Sequence, residues 1–236
     1  MCNVSINAAR TRTPASFVDM KVHALLLEFL AGVPCTDKTV EQYVLERDED
    51  IEVDDELKPK IFRHFEQVFS HRLWVSRAYA LVRTVDASLA TEMEERVAAH
   101  DLSKFSSAEI VGYALKWGRS DSDGPIEPEE ESQWEASLKH HYSHNDHHPE
   151  FFGKGNAMSC ASAFKESIVD RVGCRLQRNL LPLGWENVSV EDIFAIPPRF
   201  LGNYTEEDKQ KVLQTLQTWC EKLENHDDFV QVMNFD

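Results

Sequence analysis

The chain has 236 residues, and 42% of them are hydrophobic, which is enough to build a sizeable core in one domain. Its 25 lysines and arginines are outnumbered by 41 aspartates and glutamates, so the formal net charge is −16. Binding to nucleic-acid phosphates or to anionic membranes depends on surplus positive charge, so we expect neither a nucleic-acid polymer nor a membrane as a partner. Any anionic ligand must therefore be held locally, by a metal ion or by a few basic side chains.

The cysteines and the first thirty residues indicate the compartment. The five cysteines are odd in number, scattered and without CxxC spacing: Cys2, Cys35, Cys160, Cys174 and Cys220. This pattern favours reduced thiols and a cytoplasmic location. The apolar segment 22–30 is too short and too closely flanked by charge to span a membrane, and no signal-peptide pattern precedes it.

The first predicted elements are a lead-in and two helices. Residues 1–14 are polar and turn-rich, and we expect them to be flexible. Residues 15–31 show helical apolar spacing, and residues 36–45 could form a second, short helix. The acidic run 47–56 is interpreted as a solvated charged loop.

The middle of the chain is predicted to be helical as well. Residues 57–85 carry a broad apolar stripe that contains His71, and residues 87–99 form a further helix that leads to His100 and Asp101. Ser106, with Glu109 three residues later, predicts a capping box at the start of the next helix.

The remaining segments complete an all-α pattern. Residues 118–131 are rich in Gly, Pro, Ser and acid, and they form either a mobile flap beside the histidines or an ordinary surface loop. A helix from about Trp134 should break near Asn145. Three further helices are predicted over 161–181, over 190–194 and from Thr205 onward. We find no alternating strand and no internal repeat, so the sequence predicts one all-α helical domain over 1–236.

A histidine cluster is the most concentrated chemical feature. The segment 140–151, HHYSHNDHHPEF, holds five of the ten histidines in nine positions. Helical spacing would place His140, His144 and His147 on one face, with His141 and His148 beside them. The proline at position 149 disfavours helix at His148, so the last two histidines should lie at a bend. Imidazole binds several transition metals, so the cluster predicts a metal site.

Other metal-capable residues lie on predicted apolar helices or at their ends. In chain order these are His71, the adjacent pair His100 and Asp101, the cluster, and Asp170. An aspartate within an apolar helical run is costly to bury unless it is paired or bound to metal. Together these residues predict a mixed nitrogen and oxygen shell suited to Mn, Fe, Co, Ni or Zn.

The order H…HD…D resembles the HD-domain superfamily of metal-dependent phosphohydrolases. A closer resemblance is to an uncharacterised HD-like family with the motifs HDxSKF and HNxHHPE, which stand here at 100–105 and 144–150. The resemblance covers roughly 71–181. It implies an HD-domain-like helical bundle with added terminal helices, a metal-site core at about 57–181, and a first ion held by His71, His100, Asp101 and Asp170. It also implies that clustered histidines, among them His141, His147 and His148, could hold a second ion.

This resemblance makes a metal-dependent hydrolase of a small phosphate ester or nucleotide the leading functional hypothesis, with metal-activated water as the nucleophile. Lys104 would bind the anion, His144 would act as general acid or base, and Asn145 and Glu150 would orient ligand imidazoles. Three arginines at helical spacing could add positive charge at the mouth of the site: Arg171, Arg175 and Arg178. Two alternatives stay open, an HD-fold di-iron oxygenase and a non-catalytic protein whose metal staples the helices for a protein partner.

Overall fold

A computed structural model describes residues 18–33, 37–89, 92–180 and 189–224. The predicted lead-in 1–14 lies outside these residues, as do Cys2 and Cys35. The all-α prediction is confirmed, because the described residues form helices and a single two-stranded sheet. The α-helices are α1 Val22–Leu30, α2 Lys38–Arg47, α3 Leu57–Val82, α4 Glu92–Ala99, α5 Ser107–Trp117, α6 Pro128–His144, α7 Ala161–Arg175, α8 Val190–Phe194 and α9 Glu206–Glu224. Among the described residues, no helix is both long and apolar enough to cross a membrane.

The small sheet corrects two predictions. Strand β1, Val18–Lys21, pairs antiparallel with β2, Asp50–Val53, so the predicted first helix is wrong over 18–21 and the acidic run is not entirely a loop. Residues 15–17 of that predicted helix lie outside the described residues. In β2 the side chains alternate between exposed and buried, and Ile51 and Val53 face the core. Only four residues carry this alternation, and their outer positions are acidic, so the run resembles a charged loop in sequence.

Helix α3 crosses both hydrophobic clusters of the core. Its residue Phe69 packs in the cluster built with α1, α2 and α5, whereas Trp74 packs in the cluster built with α7, α8 and α9. His71 lies between them in the chain. The segment after α4 makes the same change, from Val97 in the second cluster to Phe105 in the first, across the His100–Asp101 pair. The candidate ligands therefore lie where the chain passes from one apolar cluster to the other.

Helices α3 and α7 approach each other closely at Gly173. A Cβ atom at this position would lie 2.9 Å from the Cα of Val75, which is closer than carbon atoms normally pack. The absence of a side chain at Gly173 lets the two helices come together one turn from His71 and Asp170.

Several helix boundaries differ from the sequence prediction. Helix α6 begins at Pro128, because the acidic residues that follow form its first turn, where they suit the positive end of the helix dipole. The loop before it is held by Arg119, which donates hydrogen bonds to the carbonyl oxygens of Asp123, Gly124 and Pro125. These contacts favour an ordinary surface loop over a flap. Helix α7 ends in a π-helical segment at Leu176–Leu180.

Candidate metal centre

A first group of candidate ligands joins α3, the turn after α4, and α7. The Nε2 atom of His71 lies 3.2 Å from Asp170 Oδ1, 3.3 Å from Asp101 Oδ2 and 3.2 Å from the Nε2 atom of His100. His100 Nε2 is 3.6 Å from Asp101 Oδ2 and 3.7 Å from Asp170 Oδ1. All four residues are buried. Two imidazoles and two carboxylates thus converge on one point from three parts of the chain.

The His100–Asp101 pair reaches this point because the backbone turns sharply. Asp101 adopts the left-handed conformation, with φ 58° and ψ 19°, directly after the end of α4. Aspartate and asparagine enter this region more readily than most residues with side chains. The turn lets two neighbouring residues point their side chains at the same place.

A second group lies on the other side of Asp101. His141 on α6 brings its Nε2 atom within 3.3 Å of Asp101 Oδ1, and His147 Nε2 is 3.5 Å from the same oxygen. His148 Nε2 is 2.9 Å from His141 Nε2. Ligand-capable atoms of these four residues lie within 4.8 Å of one another. The two oxygens of Asp101 therefore face two different groups of imidazoles.

The predicted face of the histidine cluster is wrong. Helix α6 ends at His144, and His148 is extended at φ −93° and ψ 132°, so helical spacing does not continue to His147. His140 and His144 instead stack on each other, with ring centroids 3.8 Å apart and the His144 side chain exposed. The bend predicted near Asn145 is confirmed, and it turns His147 and His148 back towards Asp101.

Two buried glutamates orient the imidazoles, and sequence reasoning missed both roles. His100 Nδ1 donates a hydrogen bond to Glu166 at 2.8 Å, and His141 Nδ1 donates one to Glu109 at 2.9 Å. Glu166 also accepts a 2.7 Å hydrogen bond from Arg96. A histidine whose Nδ1 is protonated and paired with a carboxylate presents the lone pair of Nε2 to a metal.

The predicted capping box at Ser106 and Glu109 is wrong, because both side chains have other partners. The Glu109 carboxylate accepts from His141 and from His140, the latter at 2.8 Å, and the Ser106 hydroxyl donates to the carbonyl oxygen of Ser103. The burial of Glu109 is visible only in the folded chain, and no sequence signal marked its role. For Glu166 the signal was its position one turn before Asp170 on the same apolar helix.

The donor set fits a cation. The Nε2 lone pairs of His100 and His141 face the carboxylate oxygens of Asp101, and such electron pairs repel unless a proton or a cation lies between them. Asp101 Oδ1 and His147 Nε2 are both buried and lack a hydrogen-bond partner among the described residues. Unpaired buried polar atoms are costly, and a metal ion would satisfy them together. These groups could hold a metal ion.

The pKa shifts describe the electrostatics of the centre. Burial opposes the charge of Asp101, but the ammonium group of Lys104 holds the pKa of this carboxyl well below the ordinary value. Burial lowers the pKa of His100, and burial with the neighbouring imidazoles of His147 and His141 holds that of His148 well below the ordinary value. Asp101 is therefore ionised, and His100 and His148 are neutral, the forms that bind metal.

The structure brings all seven predicted ligands to this centre: His71, His100, Asp101, His141, His147, His148 and Asp170. Of the other predicted site residues, Lys104 and Asn145 contact the candidate ligands, whereas Glu150 does not. Lys104 Nζ lies 2.5 Å from Asp101 Oδ2, and Asn145 Nδ2 donates to the carbonyl oxygen of His141 at 2.8 Å. Glu150 accepts a hydrogen bond from Asn203 and contacts no imidazole by hydrogen bond in the described part of the chain.

A small cavity reaches the centre from the surface. Its volume is about 160 Å³, and its lining includes His100, Asp101, His147, Arg96 and the exposed His144. Typical sites for drug-sized ligands occupy about 300–1,000 Å³, so this cavity suits a small group such as phosphate.

Comparisons with known proteins identify the family. The model of a family of unknown function, DUF5662, matches residues 60–234, and the chain belongs to that family. The matched range contains every candidate metal ligand. No curated protein and no solved structure matches the chain.

Proposed function

We propose that the chain is a metal-dependent phosphohydrolase with a centre for two ions, of the kind that its resemblance to HD-domain proteins implies. His71, His100 and Asp170 would hold the first ion and His141, His147 and His148 the second. Asp101 would bridge them. The substrate would be a small phosphate ester or a nucleotide.

The observation that carries this proposal is that the two oxygens of the Asp101 carboxylate face different groups of histidines. Oδ2 lies 3.3 Å from His71 Nε2, and Oδ1 lies 3.3 Å from His141 Nε2. A carboxylate whose two oxygens face separate sets of imidazole nitrogens is suited to bridge two cations. Paired ions about 3.5–4 Å apart are a recurrent arrangement in phosphatases and nucleases.

The chemistry divides between the ions and the side chains. Divalent ions, when bound, would act as Lewis acids on the phosphoryl group and lower the pKa of the attacking water. Glu166 and Glu109 keep the imidazoles of His100 and His141 in the orientation that presents Nε2. His144, on the rim of the cavity, would give a proton to the leaving oxygen. Lys104, paired with Asp101, would balance the negative charge that substrate adds.

The size and charge of the surroundings support a small substrate. A cavity of about 160 Å³ admits a phosphoryl group but not a folded polymer. The net charge of −16 opposes long-range attraction of nucleic acid, so the anion must be held by groups at the centre itself.

The test is metal reconstitution followed by an activity screen. Protein stripped with a chelator is loaded separately with manganese and with iron, and phosphate release from nucleotides and simple phosphate esters is measured with and without oxygen. Manganese-supported release under nitrogen, lost in His100→Ala but kept in the matched variant His23→Ala, would support the proposal. Turnover confined to iron plus oxygen would replace it with the oxygenase alternative, and metal binding without turnover would favour the non-catalytic one.

A further inference from the structure

Three arginines line a second cavity, which lies next to Cys174 of α7. The cavity has a volume of about 50 Å³, and Arg171, Arg175 and Arg178 share its lining with Cys174 and with apolar residues of the segment after α8, among them Pro197 and Phe200. A single water needs only about 10–15 Å³ on this measure, so the cavity admits a group larger than one water.

The spacing of the arginines brings their charges together. Arg171 and Arg175 are four residues apart on α7, so their side chains lie on one face of the helix. Arg178 follows in the π-helical segment Leu176–Leu180, which continues the chain from the end of α7. Such segments are rare and recur at functional sites. The result is three guanidinium groups around one small space in a protein of net charge −16.

The guanidinium groups of these arginines are only partly satisfied in the described part of the chain. None of the three arginines forms an ion pair there, and the only hydrogen bond from Arg175 runs from Nε to the carbonyl oxygen of Asp192 at 2.9 Å. Arg171 Nε is buried and has no hydrogen-bond partner among the described residues. The Asp170 carboxylate acts on Arg171 as a counter-charge but is itself paired with His71, so an anion in the cavity would supply the hydrogen-bond acceptor that Arg171 Nε lacks.

The cavity adjoins the candidate metal centre through Cys174. The sulfur atom of Cys174 lies 3.6 Å from Asp170 Oδ1 and 3.9 Å from His71 Nδ1, and the same residue lines the arginine cavity. One side chain therefore separates the two sites.

We propose that this arginine cavity binds phosphate, either as the free ion or as a phosphoryl group on a small organic molecule. The planar guanidinium fork matches phosphate oxygens and binds them through paired hydrogen bonds. Three positive charges suit a dianion better than the single charge of a carboxylate. This binding site does not require the neighbouring centre to be a hydrolase.

The experiment titrates inorganic phosphate into the full-length protein by calorimetry at constant ionic strength. Binding should weaken about tenfold or more in Arg178→Gln, because the variant removes a positive charge and its charge-assisted hydrogen bonds to the anion. Arg83→Gln is the matched control, since Arg83 is exposed and does not line this cavity. Arg171→Gln provides a second variant, and metal content is measured in every sample.

The outcomes separate the possible sources of binding. Weakening in the cavity variants with unchanged metal content supports the proposal, and glycerol 3-phosphate, compared with glycerol, shows whether an organic phosphate is accepted. Absent binding in the wild type, or binding that survives both cavity variants and disappears with the metal, would overturn it. Arginine-dependent phosphate binding without hydrolysis would refute the proposed function and leave this site standing.

Discussion

Glu166 accepts a 2.8 Å hydrogen bond from the Nδ1 atom of His100, so the opposite nitrogen of that imidazole faces Asp101 with its lone pair. The glutamate is buried, and Arg96 holds its second oxygen at 2.7 Å. The position of a candidate ligand thus depends on a carboxylate that does not itself need to touch the metal.

The first prediction follows from this contact. Glu166→Gln should weaken metal affinity by about 10–100-fold, because the amide no longer fixes the tautomer and basicity of His100. Competition with a fluorescent chelator measures the affinity. Glu135→Gln, an exposed change on α6, is the control and should leave the affinity as it is in the wild type.

The second prediction concerns Asp101. Asp101→Asn keeps the shape of the side chain and tolerates the left-handed backbone, but it removes the bridging charge. We expect loss of both ions in elemental analysis. The midpoint of thermal unfolding should fall by about 2–4 °C for each kcal/mol of lost binding energy. Full metal content in this variant, or an equal loss in the exposed control Asp121→Asn, would contradict the assignment.

The third prediction separates the two halves of the centre. His148→Ala should lower the metal content from about two ions towards one, because the Nε2 atom of His148 lies with His141 and His147 rather than with His71 and Asp170. His144→Ala is the matched control from the same histidine cluster, since its side chain is exposed and should leave both ions bound. A single ion in the wild type and in both variants would show that the cluster serves substrate or structure instead.

The fourth prediction concerns pH and a histidine outside the centre. Burial lowers the pKa of His64 to about 4 from its ordinary 6.5, and its Nε2 donates to the carbonyl oxygen of Lys104 at 3.1 Å. Below pH 6.5 the His64 imidazole takes up a proton in the unfolded chain but stays neutral in the folded chain. The free energy of unfolding should therefore fall between pH 6.5 and 4, by about 3 kcal/mol in total from this group.

Urea unfolding at a series of pH values measures this effect. His64→Gln keeps a donor for the Lys104 carbonyl and should flatten the decline between pH 6.5 and 4, whereas His23→Gln should leave it unchanged. An equally steep decline in wild type and His64→Gln would assign the acid sensitivity to other groups.

The sequence predicted the helices better than the details at their ends. The apolar stripe of residues 57–85 matches α3 closely because a helix with 15 of its 26 residues buried repeats its pattern over many turns. Strand β2 was missed because four residues give only two alternations. The start of α6 was placed too late because its first turn is acidic, which is a mark of helix starts as well as of loops.

The ligand types were readable from the sequence, but their grouping was not. His71, the His100–Asp101 pair and Asp170 stand out as polar residues at apolar helical positions. Which clustered histidines turn inward depends on where α6 ends, and a helical wheel drawn through His147 gives the wrong face. The roles of Glu109 and Glu166 require the pairing of α5 with α6 and of α4 with α7, which no local pattern contains.

The close approach at Gly173 determines how wide the metal site can be. His71 precedes Val75 by one turn on α3, and Asp170 precedes Gly173 by one turn on α7, so the helix spacing at Gly173 sets the 3.2 Å separation of the two ligand atoms. Bonds from imidazole or carboxylate to metal are close to 2.0–2.2 Å and tolerate only a few tenths of an ångström. A methyl group at Gly173 would force α3 and α7 apart and stretch the site beyond that tolerance. Gly173 thus controls the distance between the ligand atoms of the centre, although it has no side chain that could bind a metal.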